Sequence, residues 1–223
     1  MRCLIILLTF IFQGSAIASV TNPIELYGNK IEFDVIRNGK VVGQHITQFR
    51  QTDNVLRVTS KMNIDIFVLF LPVYAFDYRS TEKWVSDKLV SLDVKVDDGP
   101  DHIRFQAERI NDGLKVEQED RSYAIEGNIL STNHWNVDVL KDHRVLNTLT
   151  GNVNNIKITP RGKEKIKVSD GFINAQRYDY SGDLKDTSVW YDAQGRWVKL
   201  RFLARDGSTI DYQCRTCKGE KGQ

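Results

Sequence analysis

Val55-Leu56-Arg57-Val58-Thr59-Ser60-Lys61-Met62-Asn63-Ile64-Asp65-Ile66 decides the fold class. Leu56, Val58, Ser60, Met62, Ile64 and Ile66 fall on one side of an extended chain. Arg57, Thr59, Lys61, Asn63 and Asp65 fall on the other. Side chains alternate with period two in a strand, so this reads as a long strand with one wet face.

The same alternation extends in both directions. Upstream, Ile31, Phe33 and Val35 alternate with Glu32, Asp34 and Ile36. Asn38-Gly39, a strong hairpin signal, then leads into a strand from Val41 to Phe49. Downstream, Tyr74, Phe76 and Tyr78 lead to Glu82 and Trp84, and Val90, Leu92, Val94 and Val96 form a further apolar face. Turns at Ser86-Asp87-Lys88, Asp98-Gly99-Pro100 and Asn111-Asp112-Gly113 punctuate the first half. In the second half, strands are expected around Ile156 and Ile158, Ile166 and Val168, Ile173–Tyr180, Thr187–Asp192, Trp197–Ala204 and Ser208–Gln213. Between the halves, His134–Thr150 shows no clean alternation. It reads as a loop or a short helix carrying Val137, Leu140, Arg144 and Val145 on one face.

About a dozen strands at hairpin spacing, without strand–helix–strand alternation, predict an all-β, mainly antiparallel fold. The expected shape is a strongly curved meander sheet. It closes as a barrel, or wraps as a half-barrel around the middle segment.

The first residues carry a separate message. Arg2 is followed by an apolar run from Leu4 to Phe12 and then by Ala16-Ile17-Ala18. That is the layout of a secretory signal peptide over residues 1–18, cut between Ala18 and Ser19. The run is too short for a membrane span, which needs roughly 20 apolar residues, and no transmembrane segment is expected in the mature chain. Cys3 lies before the apolar run, so lipid attachment at a mature N-terminal cysteine is not expected. A single β-rich domain is expected over 19–213, then a Cys-x-x-Cys motif and a polar tail over 214–223. The expected location is the periplasm, as a soluble protein.

The chain carries 31 Lys and Arg against 29 Asp and Glu, with no basic block. Nucleic acid is not an expected partner, because phosphate contacts need a concentrated positive face. Cys214-Arg215-Thr216-Cys217 follows a strand, outside any βαβ unit. A local disulfide suits an oxidising compartment, and redox or metal roles stay open beside it. The histidines, His45, His102, His134 and His143, show no ligand spacing, and no metal or cofactor is expected.

Ile66-Phe67-Val68-Leu69-Phe70-Leu71-Pro72-Val73-Tyr74-Ala75-Phe76 loses the two-sided pattern. It reads as a strand covered on both faces, as the lining of a lipid-sized pocket, or as a membrane contact. For acid–base chemistry the candidates are Glu82, His134 and Asp192, which would have to meet in one cleft.

Val189-Trp190-Tyr191-Asp192-Ala193-Gln194-Gly195-Arg196-Trp197 through Tyr212, together with Glu82-Lys83-Trp84 and Phe33–Gly39, resembles exported proteobacterial proteins of domain-of-unknown-function family 6134. The resemblance implies an exported β-rich domain and no particular activity. Within it, Trp190 is expected to pair across a hairpin with Trp197 or Val198. The final hairpins are also similar, at the level of fold alone, to periplasmic lipoprotein-carrier half-barrels.

The leading expectation is a non-enzymatic binder of an apolar or lipid-like ligand in the envelope. Its walls would be Phe67, Leu69, Phe70, Tyr74, Phe76, Trp84 and Trp135. The alternatives are a module that docks an envelope protein through a sheet edge or apolar patch, and a hydrolase-like enzyme acting on an envelope substrate.

Overall fold

The computed structural model describes residues 22–217. The expected cleavage site at Ala18 and Ser19 and the polar tail from Lys218 lie outside these residues.

Fifteen strands form one sheet. The first half contributes β1 (Lys30–Arg37), β2 (Lys40–Thr52), β3 (Val55–Val68), β4 (Leu71–Val85), β5 (Lys88–Asp98), β6 (Asp101–Ile110), β7 (Gly113–Gln118) and β8 (Ser122–Ile125). The second contributes β9 (Leu130–Ser131), β10 (Arg144–Leu146), β11 (Val153–Val168), β12 (Gly171–Gly182), β13 (Ser188–Asp192), β14 (Trp197–Leu203) and β15 (Thr209–Thr216). β1–β8 and β10–β15 each form a meander, and the two join where β1 pairs antiparallel with β15. All neighbours are antiparallel except β9 and β10. The extra strands beyond the expected dozen include β9 and β10, which are too short to show a period.

The ladder stays open between β8 and β9, strands consecutive in sequence. Side chains tie that seam instead. Tyr123 Oη and Gln118 Nε2 both donate to the carbonyl of Gly151, and Arg144 donates to the carbonyl of Glu126. Register shifts at Ile66/Phe67, Lys83/Trp84, Pro160/Gly162 and Trp190/Tyr191 mark the bulges that help curl the sheet.

The middle segment crosses the concave face. Residues 131–135 touch β2 through Phe49, β4 through Ser80, Glu82 and Trp84, β12 through Tyr180, β13 through Tyr191 and β14 through Trp197. Only a segment inside the curl reaches strands from both halves at once. The expected short helix is a 3₁₀ turn at Val137–Lys141, capped by Asn136. Arg144 and Val145 belong to β10 rather than to that turn. A five-residue α-helix, α1 (Pro23–Tyr27), has no counterpart in the expected elements. It delivers Tyr27, whose hydroxyl donates to Trp135 O at 2.8 Å and accepts from Trp197 N at 2.9 Å. One buried phenol thus clamps the crossing segment to β14.

Trp190 does not face Val198 or Trp197 across the hairpin. It pairs with Lys199, while Tyr191 pairs with Trp197, because the register shifts between Trp190 and Tyr191. Trp190 is therefore on the outer face, where Lys199 and Arg177 cover its ring and Glu164 accepts its N–H.

Candidate functional site

A cavity of about 430 Å³ opens at one end of the curled sheet. Its buried wall comes from His45 on β2, Met62 on β3, Tyr78 on β4, Asn133 and His134 of the crossing segment, Trp197 on β14 and Tyr212 on β15. Leu149, Asp183, Lys185, Leu203 and Arg205 form an exposed rim. The period-two rule explains the wall: His45, Met62, Tyr78 and Tyr212 all occupy inward positions of their strands. The volume falls in the range of small-molecule sites, and the mixture of aromatic walls with a few polar groups is usual for them.

Most polar groups on this wall are satisfied. Tyr78 Oη donates to Asn133 Oδ1 at 2.8 Å, and Asn133 Nδ2 donates to Ser80 and Glu82. His45 is different. It is 4% exposed, and its Nδ1 has no hydrogen-bond partner among the described residues. Phe33, Trp197 and Tyr212 surround its ring. Burial, with a smaller contribution from His134, lowers its pKa to about 3. Burial likewise lowers His134 to about 4. Both imidazoles are therefore neutral near pH 7, and each keeps one ring nitrogen as an acceptor. An unpaired buried polar atom is costly unless something else meets it.

The three acid–base candidates are not brought into one cleft. His134 lines the cavity; Glu82 and Asp192 do not. Glu82, fully buried, accepts from Trp84 Nε1, Trp135 Nε1, Ser131 Oγ and Asn133 Nδ2. Asp192 closes the β13–β14 turn, accepting from the backbone of Gln194 and Arg196 and pairing with the Arg196 guanidinium. No hydrogen bond joins any two of the three among the described residues. No group of three His, Cys, Asp or Glu that could hold a metal occurs among them either.

Residues 33–215 match the family described as a domain of unknown function, DUF6134. The chain belongs to the DUF6134 family. The match runs from β1 to β15, so it spans both meanders and the strand pair that joins them. No curated protein matches this DUF6134 chain. A crystal structure of a β-barrel-like protein of domain of unknown function DUF1849, from Brucella abortus, shares the fold. It superposes with a TM-score of 0.60 at 8% identity, over 86% of this chain and 98% of that one.

The wall residues expected for the DUF6134 chain are dispersed. Phe67, Leu69 and Phe70 stand at the exposed end of the β3–β4 hairpin, 61%, 87% and 96% exposed. Tyr74 lies beside that tip, with its hydroxyl on Asp98, and Phe76 packs half-buried against the core. Trp84 and Trp135 meet edge to face at 5.3 Å and line a smaller cleft of about 180 Å³ with Asn22, Gln51 and Asn136. None of these seven residues lines the larger cavity. An apolar run in one hairpin marks where that hairpin ends, whereas the cavity is assembled from single inward residues on distant strands. The inward His45 of β2 and His134 beside Trp135 were the visible signals, each too isolated to announce a site. Cys214 and Cys217 are joined in a disulfide, and Cys214 lies within β15. No described helix is long and apolar enough to cross a membrane.

Proposed function

We propose that this protein is an exported, non-enzymatic binding protein that holds an apolar, lipid-like ligand in the cavity above His45. One observation carries the reading: an aromatic-walled cavity of ligand size has the deeply buried imidazole of His45, whose Nδ1 makes no hydrogen bond to the described residues, in its wall. Aromatic rings and Met62 would take the apolar body of the ligand, and a hydroxyl or carboxyl group would meet His45. The separation of Glu82 and Asp192 from the cavity supports binding over catalysis. Export is supported by the layout of residues 1–18 and by the disulfide, which suits an oxidising compartment.

Native mass spectrometry of the mature protein, purified from its own envelope and then extracted for lipid, tests this. The expected result is a co-purifying amphiphile near one per chain, at least tenfold reduced in His45→Phe. An apo mass that stays unchanged after incubation with envelope lipids refutes the cavity reading. N-terminal sequencing of the exported product should begin at Ser19.

A further inference from the structure

Leu69 and Phe70 form the tip of the β3–β4 hairpin with φ of 48° and 71°. A two-residue turn with both central residues at positive φ favours Asn and Gly. The chain follows that preference elsewhere. Its other described non-glycine residues at positive φ are Asn38, Asp53, Ser86, Asp87, Asn111 and Asp186. A leucine and a phenylalanine here work against the local backbone, and burial does not compensate, since they are 87% and 96% exposed.

The apolar character goes all the way round the hairpin. Phe67 pairs with Pro72, and Val68 pairs with Leu71. Paired residues share a face and consecutive residues alternate, so Phe67 and Leu71 point to opposite sides. They are 61% and 68% exposed. No charged residue lies between Asp65 and Asp77. A groove on a partner protein would cover one face and leave the other wet. A tip that is apolar on every side matches a surrounding that is apolar on every side.

The tip also stands beside the cavity mouth. Tyr74 Oη donates to Asp98 Oδ1 at 2.7 Å, Asp98 lies 3.6 Å from the Arg205 guanidinium, and Arg205 is part of the cavity rim.

We propose that the β3–β4 hairpin tip inserts into the outer part of a lipid bilayer, with the cavity mouth held at the membrane surface. From Ile66 to Val68, the end of β3, the strand rises about 7 Å, which lies within the depth reached by interfacial elements. Tyr74, apolar in body and polar at its hydroxyl, suits the headgroup level. The first charges below the tip, Asp65 and Asp77, are acidic, which fits a neutral zwitterionic surface better than an anionic one. This inference does not depend on what the cavity holds.

Flotation of the mature protein with phosphatidylcholine vesicles tests it. The wild type is expected to float with the vesicles, and Leu69→Asn/Phe70→Gly to lose at least tenfold in partitioning with an unreduced urea midpoint. Leu71→Asn, outside the left-handed positions, should show a smaller loss in the same direction. Three results would overturn the proposal: no wild-type partitioning, unchanged partitioning of the double variant, or binding confined to phosphatidylglycerol vesicles. A wild-type dimer in vesicle-free buffer that the double variant abolishes would also overturn it, in favour of a second copy of the chain.

Discussion

Trp135 Nε1 donates to Glu82 Oε2 at 3.0 Å, joining residues 53 positions apart inside the curled sheet. Glu82 also receives Trp84 Nε1 at 2.9 Å, Ser131 Oγ at 2.5 Å and Asn133 Nδ2 at 2.8 Å. A buried carboxylate thus meets four neutral donors, and three of them belong to the segment that crosses the concave face. Glu82 is a structural anchor that holds this segment against β4.

Removing the anchor should be expensive. Glu82→Ala removes the acceptor of four buried hydrogen bonds, leaving Trp84, Trp135 and Ser131 without one, and is expected to destabilise the fold by about 3–5 kcal/mol. Glu82→Gln keeps the volume but turns one acceptor into a donor, and should cost about 1–3 kcal/mol. Urea denaturation followed by tryptophan fluorescence measures both. A loss under about 0.5 kcal/mol for Glu82→Ala would contradict the anchoring role.

Acid should weaken the protein through its buried histidines. His45 and His134 have folded-state pKa values lowered to about 3 and about 4. Below an ordinary histidine value near 6.5, the unfolded chain binds protons that the folded chain refuses. Stability is therefore complete above about pH 6.5 and falls as pH drops toward 4. The slope is on the order of 1.4 kcal/mol per pH unit for each histidine. Urea midpoints measured from pH 7 to pH 4 should show this slope, reduced by about half in His45→Phe if the two contribute equally. A flat profile would contradict the burial of these neutral rings.

The hairpin tip should tolerate a residue exchange that improves its turn. Leu69→Asn/Phe70→Gly replaces two exposed side chains at positive φ with residues suited to that backbone. The expected change is a gain of up to about 1–2 kcal/mol, or at least no loss. Thermal unfolding tests it, and a fall in Tm would show that the tip supports the fold.

The disulfide should contribute little to stability. Cys214 and Cys217 are three residues apart, so the closed loop restrains the unfolded chain only slightly. Loop entropy sets the contribution at about 2 kcal/mol or less. Comparing urea midpoints of Cys214→Ser/Cys217→Ser and wild type checks this, and a larger loss would mean that the buried sulfurs matter through packing.

The strands were legible because their signal is local. Val55–Ile66 alternates residue by residue, and β3 covers it. Asn38-Gly39 connects β1 to β2 because those residues tolerate the turn. The Cys214–Cys217 bond was also legible, since its partners are near neighbours in sequence. The apolar run at Ile66–Phe76 was visible but admitted several readings, because a sequence does not say what covers a strand.

By itself the sequence determined a chain of antiparallel hairpins, where they turn, and that one side of most strands is apolar. Side-chain alternation and turn propensity act over a few residues and need no distant partner. Only the tertiary structure decided that β1 meets β15, that residues 131–135 cross the concave face, and that Glu82 anchors them. It alone put His45 and His134 into one cavity and left Leu69 and Phe70 in the open. Those outcomes depend on contacts between residues far apart in sequence, set by how the curved sheet closes on itself.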